Sequence, residues 1–518
     1  MWSRRLFTQS MLGFVPVVLF DRCTQQKQAI SVSYDITIPT SLPETELLIP
    51  TYLGNDQRRF YGRGKPEKFK LVDKFNLGTG KTVFKGITEW SGAGWTGQPT
   101  LVKDRGKEYL IIGSYDHHLR KIDLATNKEV WRYKFDDIIK GTATIYIDKT
   151  ADPENRIVIL QGSRMGLNNY VGQPEPVPSL RAISFRTGRE LWRLDISLTD
   201  SYSRDNDSSP LYLGDGLIFN AGENAIGYFL TSSTRNTRVK DGIKQPIIHR
   251  TVRLYKPEDV GRHGGNLVVE SSPVRLENMI YIACGSGWVF GIDITQKKIV
   301  WEFFIGTDLD GTIAISKDAK LLVPVERQYN AGQGGVLKLD TRKTPQKAVE
   351  WFLPTGNINF EGWEGGVLGS VAISDEYNPN DELPAIFAVV ALDGYVYIGA
   401  QQELSGTKVL DPNLQKYHDS PLVLYKKYVG SSISTPIFTE DHHLIVPSYN
   451  GVHWFKIDFQ TVKQKVKGAI ANSRGQFFIL KVSYKGVFMS GVSFEATPII
   501  WNNLIRITSR DGYLYTIG

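Results

Sequence analysis

The 518-residue sequence predicts an all-β protein, an eight-bladed β-propeller made of four-stranded antiparallel blades. One signal is a segment of short strands that recurs along the chain and ends each time in a strand with Trp or Tyr at the same offset. The other signal is a motif of small residues that recurs at intervals of roughly 57 residues. Seven blades is the alternative count.

The clearest copy of the repeat runs from Glu108 to Phe135. An apolar run ends in Gly113-Ser114, an alternating run from Leu119 to Leu124 follows a turn, and a third run carries Trp131. Because this aromatic residue lies on an outer strand, we expect its equivalents to be buried between neighbouring blades. The equivalents are Trp192, Trp301, Trp351 and, in weaker copies, Tyr255 and Tyr425.

The motif of small residues marks the strand that opens each blade, since small side chains suit a strand beside a narrow channel. Its eight copies begin at Gln98, Gly141, Ser208, Ser271, Asp310, Gly369, Ser434 and Ala496. The final copy of the repeat, Leu504 to Gly518, stops after its third strand. We therefore expect Phe69 to Leu77 to supply the outer strand of the last blade and close the ring.

The repeat resembles that of the pyrroloquinoline-quinone-type propellers, because its Gly-Ser pair, Asp and Trp recur at matching offsets. One copy carries Gly285-Ser286, Asp293 and Trp301. The resemblance covers roughly residues 68–518 and implies an eight-bladed propeller. That superfamily holds quinoprotein alcohol dehydrogenases and also non-enzymatic propellers such as the outer-membrane assembly lipoprotein, so the resemblance selects no activity.

The N-terminus predicts export. Ser3 to Gln9 resembles a twin-arginine motif, and Met11 to Phe20 has the length of a signal-peptide core. Cys23 follows at the place of a lipidated cysteine, although Asp21-Arg22 departs from a lipobox. We expect a periplasmic or membrane-anchored protein with an export or lipoprotein signal in residues 1–30, an extended tether in 31–67 and the propeller in 68–518.

The charge pattern argues against a nucleic-acid partner. The net charge of +7 is spread thinly, and the two basic stretches, Gln57 to Lys74 and Lys463 to Lys485, do not interleave aromatic residues with arginines. Both are interpreted as solvated surface. We expect a monomer.

Three long loops are predicted between the second and third strands of their blades, on the face where the opening strands begin. They are Arg164 to Ser179, Glu223 to Ile248 and Arg327 to Gly334. Loops of this length are often functional. We expect them to wall part of the channel mouth.

Residues just before the opening strands are expected to line this mouth, and many are acidic or aromatic. Carboxylates beside indole rings suit a cation, a basic peptide or a flat ligand. The competing interpretation is that these acids only cap turns. The candidates are Glu89, Trp95, Asp207, Glu270, Asp310, Glu361, Trp363 and Glu495, with Asp205 and Asp207 as candidate metal ligands.

The favoured function is a non-catalytic propeller that binds a protein partner or ligand at this mouth. The alternative is a quinoprotein dehydrogenase that oxidises an alcohol or sugar with pyrroloquinoline quinone and calcium as cofactors. The resemblance implies that such an enzyme stacks the quinone between a Trp and a disulfide of adjacent cysteines, and holds calcium with Glu, Asn and Asp. The two cysteines here, Cys23 and Cys284, are far apart, so the alternative lacks half of that sandwich.

Overall fold

The computed structural model describes residues 41–83 and 86–518, which form an eight-bladed β-propeller. These residues contain eight sheets of four to six strands and three two-stranded hairpins. They also contain one short α-helix, Pro257–Arg262, and three 3-10 turns, Pro345–Lys347, Asp375–Tyr377 and Glu440–His442. The predicted fold class and blade count are confirmed.

Blades 1 to 4 are antiparallel meanders that begin with the predicted opening strand. Blade 1 consists of Thr100–Asp104, Lys107–Gly113, His118–Asp123 and Lys128–Lys134. Blade 2 consists of Thr144–Ile147, Ile157–Gly162, Val177–Ser184 and Glu190–Ile196. Blade 3 consists of Leu211–Gly214, Leu217–Ala221, Ile226–Thr231 and Ile248–Arg253, and blade 4 of Val274–Leu276, Met279–Ala283, Trp288–Asp293 and Lys298–Phe304.

Blades 5 to 7 repeat this order, with long outer strands in the last two. Blade 5 consists of Ala314–Ile315, Leu321–Val325, Gly335–Leu339 and Val349–Pro354. Blade 6 consists of Ala372–Ile373, Ile386–Val390, Tyr395–Leu410 and Tyr417–Tyr428. Blade 7 consists of Ile437–Thr439, His443–Ser448, Gly451–Val462 and Phe477–Phe488, with Ile470–Ala471 added outside.

Blade 8 joins the two ends of the propeller. Its first three strands are Ile499–Trp501, Leu504–Thr508 and Tyr513–Ile517, and its fourth is Leu71–Asn76. The fourth strand pairs antiparallel with the third, with Phe75 opposite Leu514. The predicted ring closure by Phe69 to Leu77 is therefore confirmed.

The apolar core is divided into layers between neighbouring blades, since each blade buries both faces. One layer packs Ile111 and Ile145 of blades 1 and 2 together, and another packs Phe290 of blade 4 against Phe229 of blade 3. The aromatic residue of the outer strand joins these layers. The Trp131 and Trp351 indoles each donate to a carbonyl of the next blade, Phe185 and Gln401, at 2.9 Å.

The aromatic positions are buried less uniformly than the repeat predicts. Trp192, Trp351 and Tyr255 are at most 4 % exposed, which confirms the prediction for these three. Trp131, Trp301 and Tyr425 are partly exposed, so full burial is wrong for them.

A ring of backbone-to-hydroxyl hydrogen bonds joins the opening motifs of successive blades. The amide of Ser272 donates to Thr312 Oγ1 at 2.8 Å, and the amide of Thr312 donates to Ser370 Oγ at 3.1 Å. The same contact links blade 1 to 2, 3 to 4 and 6 to 7. The eight equivalent residues, called the ring positions, are Gln98, Thr142, Ser209, Ser272, Thr312, Ser370, Thr435 and Thr497.

Residues 45–64 are built into the propeller, so the predicted extended tether is wrong for this stretch. Thr45–Ile49 pairs with the opening strand of blade 1, and Gly62–Arg63 pairs with that of blade 8. After the first of these strands the chain crosses the channel as a plug, defined here as residues 50–64. The Tyr52 hydroxyl lies 3.0 Å from Thr435 Oγ1 and 3.2 Å from Thr497 Oγ1. The plug closes the channel beneath the mouth.

The loop predictions are confirmed for two of three loops. Residues 163–176 and 326–334 connect the second and third strands of blades 2 and 5. The predicted loop from Glu223 to Ile248 is wrong, because it contains the third strand of blade 3 and a hairpin of Thr237–Lys240 and Ile243–Pro246. A tight turn with Ala225 at a φ of 55° replaces the expected long connection.

Two further hairpins lie before blades 1 and 6. They pair Thr79–Val83 with Ile87–Ser91 and Asn357–Phe360 with Trp363–Gly365. The twin-arginine motif and Cys23 lie outside the described residues. In residues 41–83 and 86–518, no helix is long and apolar enough to cross a membrane.

Candidate functional site

Each blade contributes two equivalent residues to the channel mouth. One lies two residues before the ring position, and the register of the blade places the other opposite it, just after the second strand. From blade 1 to blade 8 these pairs are Thr96 and Tyr115, Lys140 and Arg164, Asp207 and Glu223, Glu270 and Gly285, Asp310 and Glu326, Leu368 and Leu392, Ile433 and Tyr449, and Glu495 and Arg510.

The mouth is divided into a charged arc on blades 2 to 5 and an apolar arc on blades 6 and 7. The charged arc holds two basic side chains, Lys140 and Arg164. Its seven carboxylates are Asp205, Asp207, Glu223, Glu270, Asp308, Asp310 and Glu326. If all seven were ionised, this largely buried arc would carry five uncompensated negative charges.

Lys140 is the internal cation of the blade-3 set, defined as Asp205, Asp207 and Glu223. Its ammonium forms an ion pair with Asp207 and lies 3.2 Å from Glu223 Oε1 and 4.0 Å from Asp205 Oδ2. Arg164 donates to Asp205 Oδ2 at 2.6 Å. Burial would lower the pKa of Lys140, but the surrounding carboxylates raise it well above its usual value.

Burial also shifts the acids around Lys140. It raises the pKa of Asp207 to about 6 even though Lys140 opposes the shift. Glu270 lies 3.9 Å from Lys140, and burial together with neighbouring carboxylates raises its pKa to about 8. The arc therefore holds protons near neutral pH that exposed acids would have released.

The blade-5 set, defined as Asp308, Asp310 and Glu326, has no basic partner in the part of the chain that the structure describes. The three carboxylates offer oxygens that all lie within 4.8 Å of one another. Among the described residues, no Lys, Arg or His nitrogen comes within ion-pair distance, 4.0 Å, of this set. Burial raises the pKa of Asp308 to about 7 and the pKa of Asp310 and Glu326 well above their usual values.

Several oxygens at the blade-5 set lack a donor. Both carboxylate oxygens of Glu326, which is 1 % exposed, and Asp308 Oδ1 accept no hydrogen bond from a donor group. Neighbouring carboxylates can bond one another only by sharing a proton. The Asn266 amide donates to Asp308 Oδ2 at 2.5 Å, and its own Oδ1 is buried without a partner.

The local sequence explains how the blade-5 set forms. Asp308 and Asp310 alternate with Leu309 on extended chain, so both acids face one side while Leu309 is fully buried on the other. Ala314 pairs with Leu322 in the same blade, and the same register places Glu326 opposite Asp310. Three acids from two adjacent segments therefore converge.

The apolar arc carries the aromatic side chains of the mouth. Its base is the buried cluster Leu368, Leu392 and Ile433. Four aromatic residues pack against that cluster: Trp95, Phe360, Trp363 and Tyr449. An isolated bridge joins Glu326 to Gly366, so the hairpin that carries Trp363 adjoins the blade-5 set.

The remaining candidate site residues lie in different places. Glu495 lies at the mouth and accepts a hydrogen bond from the Tyr449 hydroxyl at 3.0 Å, with Arg510 at 3.7 Å. Glu361 is exposed at the turn of the Trp363 hairpin. Glu89 is exposed on the hairpin before blade 1, 3.9 Å from Lys81. Asp207, Glu270, Asp310 and Glu495 thus share one level, while Glu89 and Glu361 do not.

Sequence reasoning missed half of the charged arc. Lys140 lies just before an opening motif, as Asp207 and Glu270 do. The sequence alone could therefore have identified it as a residue of the mouth. Arg164, Glu223 and Glu326 lie opposite that position, just after the second strands. Finding them requires the register within each blade, which the repeat alone does not give.

Comparison with known proteins does not identify the function, which has to be inferred from the residues of the mouth. No family model matches the sequence, and no curated protein matches it. The structure is similar to that of BamB from Moraxella catarrhalis, with 14 % identity, a TM-score of 0.46, and coverage of 87 % of this chain and 99 % of that one. The computationally designed Ika8 protein gives 11 % identity, a TM-score of 0.44 and the same coverage of each chain.

The residues of the mouth do not fit the quinone that the resemblance raises. Cys284, a free cysteine, is fully buried in blade 4, so it offers no disulfide for stacking. The Trp288 indole donates to Asp259 Oδ2 at 3.0 Å and packs on Phe304. A surplus of carboxylates also opposes an anionic quinone. The acids of the arc suit a cation.

Proposed function

We propose that the protein is an exported, non-catalytic binding propeller whose mouth takes a basic segment of a partner protein. The observation that carries this proposal is the division of the mouth ring into a charged arc and an apolar arc. Seven carboxylates lie beside two basic side chains in the first, and four aromatic side chains pack on the apolar cluster of the second.

The charged arc favours a ligand with positive charge. Burial keeps the local dielectric constant low, so a guanidinium or ammonium group gains more from these acids than it would at an open surface. Glu270, with 18 % of its side chain exposed, can meet such a group, and a bound cation would favour its ionised form against the raised pKa.

The apolar arc supplies the second half of the recognition. Trp95 and Trp363 are partly exposed, so their rings are available to an arriving side chain. Arginine stacks on indole faces through a cation–π interaction. Because the plug closes the channel below, we infer that a ligand enters from the mouth side.

A hexa-arginine peptide tests this proposal, with a hexa-glutamate peptide as the charge-reversed control. Both titrations are followed by calorimetry at one salt concentration and in EDTA. We expect hexa-arginine alone to bind, and we expect Glu270→Gln and Trp363→Ala each to weaken it roughly tenfold, because each removes one charged or stacking contact. Glu154→Gln is the matched control, since Glu154 is exposed and lies between the first and second strands of blade 2, on the opposite face.

Equal affinity for the two peptides would contradict the proposal, as would unchanged binding in both mouth variants. Incubation with pyrroloquinoline quinone and calcium tests the alternative dehydrogenase. If the protein bound the quinone tightly and reduced a dye with alcohols or sugars as substrate, the activity would indicate an enzyme. Loss of that activity in Asp207→Asn or Glu270→Gln would show that the mouth is the active site and would contradict the binding function.

Export is proposed from the N-terminal sequence, with the mature protein periplasmic or tethered at a membrane surface. Mass spectrometry of the mature N-terminus checks it. We expect either a diacylated Cys23, a cleavage after it, or an anchor that is retained in the envelope fraction. An intact Met1 on a protein recovered from the cytoplasm would refute export.

A further inference from the structure

A cavity of about 340 Å³ lies between the plug and the opening strands of blades 2 and 3. In blade 2, Lys140 of the mouth comes two residues before the ring position Thr142, and the strand Thr144–Ile147, which lines the cavity, comes after it. The cavity and the mouth therefore lie on opposite sides of the ring positions. We call it the plug cavity.

The wall of the plug cavity is mostly apolar and contains a pair of aromatic rings. Leu48 and Leu211 contribute aliphatic surface. Tyr146 and Tyr212 stack with their ring centroids 4.8 Å apart, and the Tyr146 hydroxyl donates to the Ser232 carbonyl at 2.6 Å. Tyr146 is thereby fixed, and Tyr212 is partly exposed beside it. A cavity of this size and lining suits a small ligand, such as one aromatic ring with a short chain.

Asp56 brings a carboxylate into this wall. The plug lines the cavity with four polar side chains, and the other three, Thr51, Asn55 and Gln57, form hydrogen bonds within the protein. In the part of the chain that the structure describes, the Asp56 carboxylate has neither a hydrogen bond nor an ion pair. Asp56 is also partly exposed, so its carboxylate is open to a ligand.

The two arginines near Asp56 are engaged by backbone carbonyls. Arg58 donates to the Pro273 carbonyl at 2.9 Å, and Arg275 donates to the Leu213 carbonyl at 2.8 Å. Neither guanidinium comes within 4.0 Å of the Asp56 carboxylate, the limit for an ion pair. Burial raises the pKa of Asp56 although both arginines oppose the rise. A cation bound in the cavity would therefore stabilise the ionised carboxylate.

We propose that the plug cavity binds a small primary amine with an apolar body, and that the ammonium group of this ligand pairs with Asp56. The apolar wall takes the hydrocarbon part, and the Tyr212 ring stacks on an aromatic group. A metal ion is a poor occupant, because one carboxylate on an apolar wall cannot replace its shell of oxygen ligands. This inference goes beyond the proposed binding at the mouth and does not depend on it.

Calorimetry of the full chain tests the assignment with ligands that share a phenyl ring and an ethyl spacer. The probes are phenethylamine, 2-phenylethanol and 3-phenylpropanoate, which end in a cation, a neutral hydroxyl and an anion. We expect one phenethylamine per chain, roughly tenfold weaker binding of 2-phenylethanol and no binding of 3-phenylpropanoate. The reason is that a charged donor bonds a carboxylate more strongly than a neutral donor does.

Asp56→Asn should weaken phenethylamine about tenfold and leave the affinity for 2-phenylethanol unchanged. Retained binding of the alcohol would show that the variant still folds around the cavity. Asp215→Asn is the matched control, because Asp215 is an exposed acid on the same face, in the turn after the opening strand of blade 3. It should bind phenethylamine as wild type does. Leu48→Trp should fill the cavity and abolish binding of both ligands.

Equal affinity of the wild-type chain for phenethylamine and 2-phenylethanol would overturn the inference, because the cavity would then not select an amine. Unchanged phenethylamine binding in Asp56→Asn would also overturn it, as would no binding at about 1 mM. The mouth variants Glu270→Gln and Trp363→Ala should bind phenethylamine like wild type; loss of binding there would place the amine at the mouth instead. Leu48→Trp should still bind hexa-arginine, so either proposal can fail alone.

Discussion

Replacing Lys140 by methionine is expected to lower the free energy of unfolding by about 3–5 kcal/mol at pH 7. The ammonium lies among Asp207, Glu223, Asp205 and Glu270, and its removal leaves buried carboxylates without their internal cation. Urea denaturation of both proteins measures the difference. Lys107→Met is the control, because the Lys107 side chain is 68 % exposed and lies 4.0 Å from Asp123, so we expect a change below about 0.5 kcal/mol.

The cost of Lys140→Met should shrink as the pH falls from 7 to 5. Burial already raises the pKa of Asp207 to about 6 and of Glu270 to about 8, and loss of the ammonium raises both further. Acids with a raised folded-state pKa bind more protons in the folded than in the unfolded protein, so the stability of the variant falls as the pH rises through this window. A loss below about 1 kcal/mol at pH 7 would show that Lys140 is not the counterion.

Arg58→Met is expected to cost a similar amount, about 3–5 kcal/mol, through the plug. The fully buried guanidinium donates to Thr51 Oγ1 at 2.6 Å, to the Tyr52 carbonyl at 2.7 Å and to the Pro273 carbonyl at 2.9 Å. It also reaches the Ser209 carbonyl at 3.3 Å. Methionine would leave these acceptors buried without a donor.

Arg63→Met is the control for the plug. Its side chain is 55 % exposed and lies 3.6 Å from Glu440, so an effect below about 1 kcal/mol is expected from thermal or urea unfolding. If Arg58→Met unfolded at the same urea concentration as Arg63→Met, the plug would not be a structural element of the propeller.

The repeat made the architecture predictable because it reports on local strand pattern. The opening motifs, the blade count and the closing strand Leu71–Asn76 all follow from periodicity and a missing fourth strand. The third strand of blade 3 was missed because Glu223 to Ile248 carries an inserted hairpin, which hides Ile226–Thr231 within an apparent loop.

The plug and half of the mouth were not predictable for another reason. Residues 50–64 lack the repeat, and Arg58 finds its partners in carbonyls of blades 3 and 4, far along the chain. Asp207, Glu270 and Asp310 follow from their place before the opening strands. Glu326 depends on its pairing register, and the difference between the two acid sets depends on which side chains blades 2 and 4 place beside them.

Blade 8 combines strands from the two ends of the propeller, so these strands are made at different times during synthesis. Its outer strand, Leu71–Asn76, is made early, but it has no partner until Tyr513–Ile517 is made. At ~5–20 residues per second, the interval lasts roughly 20 to 90 seconds. Throughout that time the apolar face of blade 1 that packs on Ile499 and Leu514 of blade 8 lacks its neighbour. Until the two ends meet, the nascent chain exposes an apolar blade face of the kind that promotes aggregation, and ring closure covers it.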